Sequence, residues 1–338
     1  MVYKRGINLG GYFSQCEHTR EHYEHFISEK DICRIAEWGF DHVRVPMDYE
    51  FLETEEGDDR EENYILLERL LGWCRNAGLR VILDLHKTAG YDFNDAQEQG
   101  RNRLFEERSL QERFLALWQR LAQRFGDRED IAFELLNELV NPEYAAPWNQ
   151  LAAEAVKVIR QETANTLIIY GGVEWNSAKS VPMLGRPLDE NIMYTFHYYE
   201  PLLFTHQKAC WVAAMKPDEE IPYPKEMEWY RKKSLALGLQ GMPVANAKAS
   251  EMGLEFHEEM LGEAIAYAKE MGISLYCGEF GVIELAPEAD TGRWFQDVIS
   301  LFDRYGIGYA LWSYKEMSFD FAGGHYDSVR NLLVGQEV

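Results

Sequence analysis

The sequence predicts a single (β/α)8 barrel of the TIM type, carrying an inserted subdomain after its sixth strand. Three observations lead there. Short β-rich apolar runs recur eight times, amphipathic helical patterns separate most of them, and the chain of 338 residues exceeds the about 250 of a simple barrel by an amount that insertions supply. The runs fall at 3–9, 42–46, 80–86, 131–138, 167–172, 192–199, 274–281 and 309–314. Apolar runs alternating with helices mark parallel strands joined by crossovers, and eight such strands can close into a ring.

Helices are expected at 29–38, 64–76, 110–125, 148–162, 256–270 and 292–305, where apolar residues recur at helical spacing with polar residues between them. Several end in a small or glycine-bearing turn before the next strand, as at Trp38-Gly39-Phe40, Asn76-Ala77-Gly78, Met271-Gly272 and Tyr305-Gly306. The rhythm breaks after Tyr199. Residues 200–273 are too many for one helical crossover and include Trp211, Pro217, Pro222, Pro224 and Trp229. Loops after barrel strands lie on the active-site face, so residues from 201 to about 253 are read as an inserted subdomain forming a wall or lid. No internal repeat, low-complexity run or interdomain linker divides the chain, so residues 1–338 form one catalytic domain, expected to be a monomer. The acidic run 53–62 reads as a solvated loop after strand two.

Composition narrows the partners. Fifty-seven acidic and 34 basic residues give a net charge of −23, which opposes binding to nucleic acid, anionic membranes or polyanionic polysaccharides and favours a neutral substrate. No apolar stretch approaches the ~20 residues of a membrane span. Met1 runs almost directly into a strand-like segment, without the apolar region of a secretory signal. That predicts a cytoplasmic protein, or a secreted one whose signal has been removed. The five cysteines, Cys16, Cys33, Cys74, Cys210 and Cys277, are scattered and never paired as Cys-x-x-Cys, so neither a disulfide framework nor a zinc site is expected. Nine tryptophans and 13% aromatic residues are enough to line a groove as well as a core.

Chemistry collects where a barrel places it, at the C-terminal ends of the strands. Strand one ends at Asn8, strand two contains Arg44, strand three ends at Asp84 and His86, and strand four ends in Asn137-Glu138. Strand six carries His197 and Tyr199, strand seven ends in Glu279, and strand eight carries Trp312. Glutamates on strands four and seven lie three strands apart around an eight-stranded ring and can face one another across its mouth. Two facing carboxyl groups suit glycoside cleavage, one protonating the leaving oxygen and one acting at the anomeric centre. Retention needs them roughly 5–5.5 Å apart and inversion about 6.5–9.5 Å. Spacing in sequence leaves that choice open.

The motifs GINLGG, HVRVP, LDLH, LLNE, HYY, GEFGV and LWSYK, between Gly6 and Lys315, resemble those of glycoside hydrolase family 5 (cellulase family A). With FTHQKACW and CGEFGV, the whole chain is most similar to the small single-domain clostridial endo-β-1,4-glucanases of that family. The resemblance implies a retaining double displacement on a β-glucan polysaccharide or oligosaccharide, with no cofactor. It implies that Glu138 is the acid/base and Glu279 the nucleophile, with Asn137 at the substrate 2-hydroxyl. Arg44 would hold Glu279 ionised if it reaches the same pocket. Tyr199 would donate to Glu279, His197 would lie near the acid/base or the sugar, and His86 would bind sugar hydroxyls. Trp312 would form the platform under the sugar, whose C–H face packs on an indole ring.

Plainer readings stand beside these. Arg44 could be a structural ion-pair residue, Trp312 a core ring and His86 a satisfied strand-end histidine, while Asn8 and Asp84 are evenly balanced between structure and function. For Trp175 and Trp211, packing and contact with flanking sugars stay open. His18, His22 and His25 sit close together, but no carboxylates or thiols complete a metal site in the sequence, and glycoside cleavage by two carboxyls needs none. Other substrates of the family, β-mannan, mixed-linkage β-glucan (lichenan), xyloglucan and β-1,3-glucan attacked from its end, remain alternatives. Outside the family stand a non-catalytic oligosaccharide-binding barrel and a metal-dependent barrel hydrolase. The latter would want His-x-His on strand one, where this chain has Gly6-Ile7-Asn8-Leu9.

Overall fold

The computed structural model describes residues 2–95 and 100–335. Eight parallel strands close into a barrel in sequence order: β1 (Arg5–Asn8), β2 (His42–Asp48), β3 (Arg80–Lys87), β4 (Ile131–Glu134), β5 (Leu167–Gly171), β6 (Ile192–Tyr198), β7 (Ser274–Phe280) and β8 (Gly308–Leu311), with β8 pairing back onto β1. All eight expected runs are strands, with ends that move by a few residues.

The helices form the outer layer. Glu29–Trp38, Glu61–Asn76, Arg108–Phe125, Ala145–Glu162, Leu254–Met271 and Glu288–Tyr305 contain the six helical patterns. Local chemistry sets their ends. Ser28 and Asp31 form a capping box, with the Ser28 amide donating to Asp31 at 2.8 Å. Gly39, Gly272 and Gly306 adopt the left-handed conformation at the C-termini, with φ of 100°, 66° and 66°. Between β5 and β6 no α-helix forms. The connection is the 3-10 segment Ala178–Leu184, which contains Pro182 and cannot sustain the helical hydrogen-bond ladder.

Strand alternation divides the core in two. Odd-facing residues such as Val43, Val45, Val81, Leu83, Leu85 and Phe133 pack outward beneath the helices. Inside the barrel, Tyr3, Ile82, Ala132, Ile169, Met193, Tyr276 and Ala310 form a separate apolar layer. Two residues further along β3 and β4, the same inward face carries Asp84 and Glu134, and on β2 it carries Arg44. The period of two therefore stacks a polar floor on the apolar plug. Three buried outer tryptophans tie down the backbone just beyond the strands: Trp118 donates to the Leu135 carbonyl at 3.2 Å, Trp148 to Gly171 at 2.8 Å and Trp294 to Glu200 at 2.8 Å.

The segment after β6 contains the short helices Leu202–Thr205, Met227–Ser234 and Met242–Asn246 and the 3-10 stretch Leu235–Gly241. A buried polar cluster fastens it to the barrel. Tyr223 bonds to His257 at 2.7 Å and to Asp297 at 2.7 Å, and His257 meets Tyr198 of β6 at 2.6 Å.

Candidate active site

The floor of the barrel mouth is organised by Arg44, which is fully buried. Its guanidinium donates five hydrogen bonds: Nε and Nη2 to the two oxygens of Glu134 at 2.8 and 2.9 Å, Nη1 to Asn8 and Glu279 at 2.9 Å each, and Nη2 to Asn137 at 2.8 Å. Asp84 Oδ2 lies 3.0 Å from Nη2. A planar fork can serve this many acceptors in fixed directions, and a lysine could not. Burial penalises the charge, and Asp84, Glu134 and Glu279 more than offset that penalty, so the arginine is held firmly protonated. Burial also pushes Asp84 up to about 7 against the pull of Arg44, and raises Glu134.

Glu279 ends β7 where the pairing with β6 slips: Phe196 faces Cys277, but His197 faces Glu279. Gly278 is the extra residue of this bulge, which re-aims the glutamate. A Cβ there would come within 2.8 Å of Thr195 Oγ1 and 3.2 Å of His197 Nε2, so the glycine is required by space. Glu279 receives Arg44 on Oε1 and the Tyr199 hydroxyl on Oε2 at 3.0 Å. Burial raises its pKa, while Arg44 and then His86 oppose the rise.

Glu138 faces it from the loop that leaves β4, fixed by the bond from the Asn137 amide to the Leu85 carbonyl at 3.1 Å. Its partner is His197, whose Nδ1 lies 2.7 Å from Oε1. Burial lowers the pKa of His197 far enough to keep the ring neutral. Its Nε2 is buried without a hydrogen-bond partner among the described residues. Leaving a lone pair unmatched costs less than leaving an N–H unmatched, which puts the proton on Nδ1, donated to Glu138 Oε1. Burial first, and then the charge of Glu279, drive the pKa of Glu138 well above the carboxylate range. One oxygen of Glu138, one of Glu279 and a His197 nitrogen all lie within 4.8 Å of one another. That bound is on the side of the roughly 5–5.5 Å of a retaining pair and below the about 6.5–9.5 Å of an inverting one.

His86 completes the other wall. Its Nδ1 is 2.7 Å from Asp84 Oδ2, its Nε2 is 3.0 Å from the Gln15 amide nitrogen, and its ring lies parallel to Trp312, 8° between planes and 5.9 Å between centroids. Gly10, in the turn after β1, makes room for this platform, because a Cβ would sit 3.1 Å from the Trp312 ring and 2.6 Å from Ser313 Oγ. The structure thus brings together Arg44, His86, Asn137, Glu138, His197, Tyr199, Glu279 and Trp312. Trp211 stands apart, and Trp175 borders the site through its backbone. Trp175 follows β5 in a run of left-handed residues, Glu174 to Asn176, and its amide bonds to the carbonyl of Leu139, next to the acid pair. Trp211 is 55% exposed and meets the site through rings, 6.4 Å from His206, which is 5.0 Å from Tyr199.

Glu134 and Gln15 were not legible as site residues. Glu134 sits inside the run IAFELLNE, where only its two-residue offset from Ala132 signals an inward side chain. Gln15 follows β1 in a loop with no periodicity. The three clustered histidines diverge: His18 bonds to Tyr23 and lies 3.2 Å from Asp48, His22 bonds to the Gly11 carbonyl and His25 to the Glu21 carbonyl. Among the described residues two groups could offer three metal ligands, Glu138 with His197 and Glu279, and His18 with Asp48 and Glu50. The guanidinium of Arg44 already supplies the positive charge in the first, and Ser14 and the Gln15 amide occupy both Asp48 oxygens in the second.

A closed parallel barrel with two facing glutamates at the ends of strands four and seven, one held by a cation and one by a neutral histidine, defines a glycosidase. The chain belongs to glycosyl hydrolase family 5: residues 5–318 match that family, described as cellulase. It is 40% identical to endoglucanase C of Acetivibrio thermocellus over 98% of this chain and 97% of that one. Cellodextrinase A of Ruminococcus flavefaciens is 36% identical over 90% of this chain and 83% of its own length. Among solved structures, endoglucanase Cel5A from Thermotoga maritima superposes with a TM-score of 0.74 at 24% identity, covering 98% of this chain and 96% of that one, which shows the shared fold. No helix among the described residues is long and apolar enough to cross a membrane.

Proposed function

We propose that this glycosidase is an endo-β-1,4-glucanase that cleaves by double displacement, with Glu279 as nucleophile and Glu138 as acid/base. The observation that carries the assignment is the asymmetry of the pair. Arg44 and Tyr199 stabilise the ionised form of Glu279, the form that attacks, whereas burial and the charge of Glu279 keep the proton on Glu138. With Glu138 Oε1 occupied by His197, the acidic proton resides on Oε2, where a leaving oxygen can take it. Once Glu279 becomes a glycosyl ester its charge disappears, the pKa of Glu138 falls, and the same group can deprotonate the incoming water. Asn137, fixed by Arg44, is placed at the 2-hydroxyl, and Trp312 under the ring.

The substrate assignment rests on the relatives, which are named endoglucanase C and cellodextrinase A. On this reading the enzyme acts on soluble β-glucan, with residues 201–253 as one wall. The test is the stereochemistry and length of the products. Proton NMR of carboxymethylcellulose or barley β-glucan digests should show the β-anomer first, with a rapid fall in viscosity. An initial α-anomer, or release of monomers without loss of viscosity, would overturn the reading.

A further inference from the structure

His86 lies parallel to Trp312 with both ring nitrogens engaged. Asp84 Oδ2, paired with Arg44, accepts a hydrogen bond from Nδ1 at 2.7 Å, so Nε2 carries a lone pair and accepts from the Gln15 side-chain amide at 3.0 Å. A sugar hydroxyl therefore meets Gln15 where it would otherwise meet the histidine. Gln15 is also a built feature. It holds a left-handed φ of 54°, uncommon for a residue with a side chain. The conformation is pinned by Asp48, which is buried and accepts from Ser14 Oγ at 2.6 Å and from the Gln15 backbone amide at 3.1 Å. His18 lies 3.2 Å from the same carboxylate. The backbone is thus strained and clamped, and the result is an amide set on the outer nitrogen of His86, in a residue open to solvent.

From this geometry we infer that Gln15 is a substrate-positioning residue, whose amide carries the hydrogen bond between His86 and a hydroxyl of the sugar held at Trp312. The inference rests on the glycosidase reading above. One amide hydrogen bonds to His86, and among the described residues the second amide hydrogen and the carbonyl oxygen remain for a hydroxyl, which needs a donor and an acceptor together. Asp84, His86 and Gln15 form a relay in which the state of Asp84 sets the tautomer of His86, and the tautomer sets which amide atom Gln15 turns to the ring. The relay anchors the sugar to the floor that holds Glu279, since Arg44 bonds to both Asp84 and Glu279.

The test uses Gln15→Ala and Gln15→Glu in the full chain. Gln15→Ala removes one neutral hydrogen bond to the sugar, so KM for cellohexaose should rise about three- to tenfold with kcat within threefold of the unchanged enzyme. Gln15→Glu keeps the shape but sets an acceptor against the Nε2 lone pair, so either the ring or the new carboxyl must take up a proton for the contact to survive. Burial lowers the pKa of His86 to about 4, with Glu279 and Asp48 raising it against Arg44 and Lys87, while Asp84 bonds to Nδ1. That proton is more available at low pH, so KM of Gln15→Glu should exceed that of the unchanged enzyme at neutral pH and approach it as the pH falls, a dependence that loss of a purely structural contact would not produce. Unchanged KM in Gln15→Ala, or superimposable pH profiles for Gln15→Glu and the unchanged enzyme, would overturn the inference. A uniform loss of kcat on every substrate would also overturn it. If the unchanged enzyme fails to cleave β-glucan, the underlying reading fails instead, and the two failures are distinct.

Discussion

Arg44 reaches Glu279 with a 2.9 Å hydrogen bond from the same guanidinium that grips both oxygens of Glu134. Glu279, the proposed nucleophile, is thereby joined to the barrel floor by a charged group that cannot rotate away. Its partner Glu138 is held by a neutral histidine. Burial raises the pKa of both glutamates, and raises that of Glu138 further because Arg44 and Tyr199 oppose the rise at Glu279.

Exchanging the nucleophile should remove all turnover. Glu279→Gln is expected to lower kcat at least about a thousandfold on every substrate, because an amide cannot form the glycosyl ester. Steady-state kinetics on carboxymethylcellulose and on 2,4-dinitrophenyl β-cellobioside check it, and comparable activity on either would remove Glu279 from that role.

Glu138→Ala should behave differently on the two substrates. Polysaccharide cleavage, which needs an acid, should fall by at least about a hundredfold, whereas the activated aryl glycoside should still form the intermediate. Added azide should restore turnover and yield a β-glycosyl azide, detectable by mass spectrometry. Absence of rescue would count against the acid/base assignment.

The pH dependence follows from the two carboxyls. Activity should fall on the acid side as Glu279 gains a proton, at a pH above the ordinary carboxylate range because burial raises its pKa. It should fall on the alkaline side as Glu138 loses its proton, a limb displaced well upward by burial and by the charge of Glu279. A profile of kcat/KM with a maximum between these limbs is expected, and Glu138→Gln, measured on an activated aryl glycoside, should lack the alkaline limb. A limb that persists in this variant would assign it to another group.

Arg44→Lys should harm stability and activity together. A lysine would keep the charge but lose most of the five directed bonds, leaving buried acceptors unmatched. Loss of about 3 kcal/mol of unfolding free energy is expected by denaturant titration, with kcat down by more than about a hundredfold. A variant as stable as the unchanged protein would show that the network contributes little to the fold.

The tryptophans should separate by distance from the pair. Trp312→Ala is expected to reduce kcat/KM by about tenfold or more on short and long substrates alike, since it removes the platform stacked beside His86. Trp211→Ala, at an exposed ring beyond His206, should affect only chains long enough to reach it, by a few-fold. Equal effects on cellotriose and cellohexaose would place Trp211 outside the substrate path.

What the sequence alone determined is what its periods and strand ends record. Residues two apart on a strand share a face, so eight apolar runs, their helices and the strand-end placement of Arg44, Glu138, His197 and Glu279 followed from local pattern. Glycines such as Gly39, Gly272 and Gly306 marked helix ends because few other residues adopt their φ. Contacts between strands distant in the chain were beyond that reach. Only barrel closure could set Glu138 against Glu279 within 4.8 Å, turn Glu134 under Arg44, and lay Gln15 against His86, residues separated by 71 positions. These relationships depend on the register around the ring, including the bulge at Gly278. Local propensity carries no information about that register, whereas the tertiary structure specifies it through packing and through the need to match every buried charge.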